Sequence, residues 1–90
     1  MTVHFEDLWE KAENLQTKEE VQVTQVIDEV ILKANLYKVI DLQVNFSQEE
    51  KDKMKLRTMG EILLSLAAIS LKDGINTFEA LGLTVQDRKA

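Results

Sequence analysis

Residues 21–40 read VQVTQVIDEVILKANLYKVI, and whether this stretch is a strand or a helix decides the fold. Its β-branched opening, VQVTQV, suits a strand. Its continuation does not. Val23, Val26, Ile27, Val30, Ala34, Tyr37 and Ile40 recur at helical spacing along one side, at about 100° per residue. Val21, Leu32, Leu36 and Val39 gather on the roughly opposite side. The spacing therefore predicts a helix with two apolar stripes, a helix that needs cover on both. One stripe packs on a helix of the same chain. An identical chain is the simplest supplier of the second surface.

The rest of the sequence agrees with helix. Proline is absent and glycine occurs only three times in 90 residues, so little interrupts a helical backbone. A first helix is expected over residues 4–16, where Phe5, Leu8, Trp9, Ala12 and Leu15 form one stripe. Thr17-Lys18-Glu19-Glu20 reads as a capping box that opens a second helix, running from about residue 18 to near residue 44. Ser47-Gln48-Glu49-Glu50 is a second such box, and DLQVNF before it is the turn. A third helix over residues 48–72 ends at Asp73-Gly74, where glycine takes the left-handed position. Asn76-Thr77-Phe78-Glu79 opens a short last helix that frays from Leu83 onward. The fold class is all-α. Two long antiparallel helices and shorter N- and C-terminal helices form a single domain over residues 1–90, completed by dimerisation.

Composition narrows the function. At 44% hydrophobic, the chain carries more apolar surface than so small a core can hide. The net charge of −5 excludes a basic nucleic-acid footprint. The lysines of KDKMKLR, residues 51–57, are broken by Asp52 and read as a solvated helix face. There is no cysteine, so no disulfide framework and no thiolate metal site, which fits a reducing cytoplasm. The N-terminus turns acidic at once and lacks the pattern of a signal peptide. The longest apolar run is too short for a bilayer, which needs about 20 residues. No helix sets a lysine-rich face against an apolar one, which argues against a membrane surface.

In GEILLSLAAISL, residues 60–71, a glutamate heads an otherwise buried-looking helix. Met59, Ile62, Leu63, Leu66, Ala67, Ser70 and Leu71 form its apolar face. Thr58, Glu61, Ser65 and Lys72 form a narrow polar sector. Glu61 therefore stands at the border, as a surface residue does and as a carboxylate at the mouth of a cleft does. Facing helices would bring it near Asp28-Glu29, and clustered carboxylates hold Mg²⁺ while leaving positions for phosphate oxygens. With 16 acidic residues in the chain, such a triple also arises by chance.

These residues resemble the MazG-like all-α nucleotide pyrophosphohydrolases. That family carries paired acids on one helix and an E-x-x-D motif on a later one, followed by an apolar turn and G-I-D-x-x-E-A-L. Here MGEILLSL is followed by DGINTFEAL, and Asp28-Glu29-Val30-Ile31-Leu32 stands in the place of the first motif. The resemblance covers residues 26–81. It implies Mg²⁺ as cofactor, held by Asp28, Glu29 and Glu61, and a nucleoside triphosphate as ligand. Leu32 and Thr58 occupy two of the family's glutamate positions. The expectation is thus a degenerate member, hydrolysing weakly or not at all. Trp9 and Phe5 read as core, with stacking of Trp9 on a ligand base as the functional reading. His4, the single histidine, reads as surface. The competing expectation is a non-catalytic helical homodimer, an interaction or regulatory module whose paired surface is its function.

Overall fold

The computed structural model describes residues 4–89, and within them every regular element is helical. Helix α1 spans Phe5–Asn14, α2 Val23–Ile40, α3 Gln48–Asp73 and α4 Thr77–Lys89; a 3₁₀ turn covers Lys18–Glu20. The strand alternative for residues 21–26 fails because Val23 already begins α2.

Helix α3 starts as its sequence foretells. The Ser47 hydroxyl accepts from the Glu50 amide at 3.2 Å, while the Glu50 carboxylate accepts from the Ser47 amide at 3.3 Å. Two otherwise orphaned amides are satisfied reciprocally. The helix ends at Gly74, with φ 67° and ψ 30°, a conformation that costs glycine nothing.

The start of α2 differs from expectation. Thr17 makes no side-chain cap, and the three residues after it close as a 3₁₀ turn instead. Val21 is extended and buried, so its packing interrupts the helix that the threonine signal would have begun. The Lys72 ammonium donates to the Lys18 carbonyl at 3.1 Å and pins this turn to the far end of α3. Helix α2 also stops at Ile40, four residues short of the expected end. Helix α4, expected to fray from Leu83, stays helical to Lys89. The Thr84 hydroxyl bonds back to the Ala80 carbonyl, and Arg88 and Lys89 complement the helix dipole at its end.

Helices α2 and α3 run in opposite directions. Asp41 meets Lys55 near the connecting turn, Lys33 meets Ser65 midway, and Lys18 meets Lys72 at the far end. From α2, Val23, Val26, Val30, Lys33, Tyr37 and Ile40 turn inward at alternating spacings of three and four. That is the seam of a left-handed helix pair.

Helix α1 lies on the other side of α3. Trp9 is its buried anchor, and Leu8, Trp9 and Ala12 line a hollow shared with Gly60, Leu63 and Leu64. On a helical wheel these α3 residues lie about 180° from those facing α2. Helix α3 is therefore the middle layer, and Ala67 is its most enclosed residue. Phe78 ties the start of α4 to α1, edge-on to Phe5 and Trp9 with ring centroids 6.0 and 6.5 Å apart.

Two surface expectations need correction. Ser65, assigned to the polar sector, is buried because it faces α2, where the Lys33 ammonium donates to its hydroxyl at 2.9 Å. Met59 and Leu66, assigned to the buried face, are exposed because they occupy a flank between the two layers.

Candidate functional site

The acids singled out by the sequence sit along the α2–α3 pair. Glu61 lies one turn from Ser65 on α3, so both reach the same stretch of α2. Its carboxylate stands 3.8 Å from the Lys33 ammonium and remains largely in solvent. Lys33 is the better enclosed partner: its aliphatic stem lies in the seam and its head touches Ser65 and Glu61. The Lys33 charge therefore offsets Glu61.

Glu29 and Asp28 are both exposed on α2. Their side chains diverge by about 100°. Glu29 turns toward the flank that carries Glu61. It lines a hollow of about 350 Å³ with Val21, Val26 and Ala68. Asp28 turns to the outer side of α2. Among the described residues, no group of three or more Asp, Glu or His side chains converges as a metal cage would. Glu29 faces Ala68 while Glu61 lies about two turns further along the pair, so a cation there would rest on one of these carboxylates, with water filling the remaining positions of an octahedral Mg²⁺.

Trp9 is buried, with its ring tilted 37° to Phe5. Its indole N–H is enclosed without a hydrogen-bond partner among the described residues. It also lines a hollow of about 440 Å³ with Glu6, Glu10, Glu13 and Phe78. Three carboxylates there repel phosphate. Glu13 is engaged locally, accepting from the Ser70 hydroxyl at 3.0 Å.

Comparison with protein-family models, curated proteins and solved structures finds no match. The site must be read from its own geometry.

That geometry contains a residue the sequence reading passed over, Lys33. Lys33 and Ser65 form the polar centre of the helix pair, at 2.9 Å. The signal was present: Lys33 continues the three-and-four spacing of Val23, Val26, Val30, Tyr37 and Ile40. A second ion pair closes the turn end of the seam, where the Lys55 ammonium lies 2.7 Å from Asp41. That hydrogen bond raises the Lys55 pKa above its usual value, against a smaller lowering by burial. Lys51 also donates there, to the Asp41 carbonyl at 3.2 Å. No helix among the described residues is long and apolar enough to cross a membrane.

Proposed function

We propose that this chain works as a non-catalytic helical interaction module that associates with copies of itself. The observation that supports the reading is a surplus of accessible surface on which large apolar side chains lie exposed. The chain exposes 7273 Å², where a folded protein of its mass exposes about 5,400 Å². Its radius of gyration is 15.4 Å, against about 12 Å for a closed domain of this length. Among the described residues no large side chain is fully enclosed, while Ile31, Leu32, Leu36 and Leu66 lie exposed. The difference of about 1,900 Å² is on the scale that one partner gives up in an obligate interface. Sedimentation velocity over a wide concentration range tests this. A species of at least twice the 10.3 kDa chain mass is expected. A well-folded monomer at the highest concentration would reject it.

A second reading follows from the acids. Glu29 and Glu61 lie on one flank of the α2–α3 pair, with Glu61 beside Lys33. On that flank a carboxylate is a hard oxygen ligand for Mg²⁺, and the Lys33 ammonium is a partner for the phosphates such an ion carries, as the MazG-like resemblance implies. On this reading the chain binds a nucleoside triphosphate with Mg²⁺ and hydrolyses it weakly or not at all, because Leu32 and Thr58 supply no carboxylate. Ligand at a hundredfold excess over its dissociation constant stabilises the native state by about 2.7 kcal/mol. A matching rise in melting temperature, requiring both Mg²⁺ and nucleotide and lost in Glu61→Gln, is the expected result. An unchanged melting temperature across a panel of nucleoside triphosphates rules the reading out.

A further inference from the structure

We infer that the second copy docks on one particular flank of the α2–α3 pair, giving an isologous four-helix bundle; this rests on the self-association reading above. The helices offer two flanks, and they differ in chemistry. On the first, α2 presents Ile27, Ile31 and Ala34, and α3 presents Met59, Ile62 and Leu66. The two rows share one side because antiparallel helices turn corresponding edges of their wheels the same way. Ile27, Ile31, Met59 and Leu66 keep 44%, 55%, 44% and 40% of their surface in solvent. On the second flank, Leu32, Leu36 and Val39 of α2, the stripe that the sequence left for a second copy, stand beside Arg57 and Glu61 of α3. Only the first flank is apolar on both helices.

Spacing supports the same choice. Ile27, Ile31 and Ala34 step by four and three, and Met59, Ile62 and Leu66 by three and four. These are heptad steps, so each row forms a seam able to seat knobs from a facing helix. Two such rows side by side are half the core of an antiparallel bundle. A two-fold axis lying in the plane of the interface turns the flank of one copy to face that of the other, so the same rows form both sides of the contact.

Charge is compatible with a second copy and argues against a basic partner. The chain carries a net charge of −5, so two copies repel unless their acids are kept apart. Glu29 and Glu61 belong to the opposite flank and Asp28 to the outer side of α2. The six residues of the docking flank carry no charge, and Lys38, which continues the α2 row toward the turn, adds a positive one at its end. A basic partner would find nothing there to pair with.

The absence of cysteine makes the test clean, since one introduced thiol links only between chains. Ile31→Cys, Leu66→Cys and Leu36→Cys are each treated with a short bismaleimide at equal, dilute concentration. Covalent dimer is expected from the Ile31 and Leu66 variants in large excess over the Leu36 variant. In parallel, Ile31→Glu is expected to raise the dimer dissociation constant roughly a hundredfold or more. Crosslinking through Leu36 as good or better, or none from any variant of a protein that sediments as a dimer, overturns the docking flank and leaves self-association standing. A wild-type chain that sediments as a monomer overturns both.

Discussion

Trp9→Ala is expected to lower the unfolding free energy by about 3–5 kcal/mol, as truncation of buried aromatic side chains does. In a chain this size that is a large part of the whole, which lies at about 5–13 kcal/mol. Trp9 is the one buried residue of α1, so its loss removes most of what holds α1 against α3. Phe78 rests edge-on against Trp9 and Phe5, so α4 loses its footing as well. Trp9→Phe separates packing from polarity. It keeps a ring in place and removes the enclosed indole N–H, whose unsatisfied burial costs about 1–3 kcal/mol. The phenylalanine variant should therefore lose far less than the alanine variant. Urea unfolding followed by circular dichroism reads both. Equal midpoints for wild type and Trp9→Ala would show that α1 does not pack as described.

The second large effect belongs to the other side of α3. Ile40 is the most enclosed residue of α2, and it lines a hollow with Leu36, Phe46, Met54 and Thr58 where the α2–α3 turn folds over the seam. Ile40→Ala is expected to cost about 2–5 kcal/mol. The cost lies toward the upper end if Phe46 cannot relax into the space. Leu42, beyond the end of α2 and mostly in solvent, is the control: Leu42→Ala should change stability by about 0.5 kcal/mol or less. Chemical denaturation of the pair of variants measures the contrast, and similar midpoints for both would contradict the described seam.

The helices were legible because their signals are local. No proline breaks them, and Ser47 with Glu50 makes a box whose two hydrogen bonds need only four residues. Thr17 carries the same signal and failed, because burial of Val21 and the Lys72 bond to the Lys18 carbonyl set the backbone there instead. A tertiary contact outweighed a capping preference. The layer order was less legible. The apolar residues of α3 were read as one broad face, whereas Leu63 and Ala67 turn toward α1, Ile69 toward α2, and Met59 and Leu66 to the flank between them. A wheel gives directions around one helix but does not name what lies in each.

The candidate site was legible in part for the same reason. Glu61 was placed at an apolar border, and the structure finds it there. Its partner was not foreseen, because a lysine in a hydrophobic row reads as an exception rather than as a member. Lys33 belongs to the row through its aliphatic stem, and Ser65 accepts its head. Such a polar pair contributes little net stability but disfavours slippage of one helix along the other, since a shifted register would strand the ammonium in an apolar groove.

The middle position of α3 has a mechanical consequence. It is the rod to which both outer helices are fastened, and Gly60 sits halfway along it with open space where a methyl group would be. Glycine in a helix interior costs about 0.5–1 kcal/mol relative to alanine, because its backbone has more freedom to lose. Strain applied to the α1 side therefore reaches the α2 side through a rod that yields most easily at its midpoint.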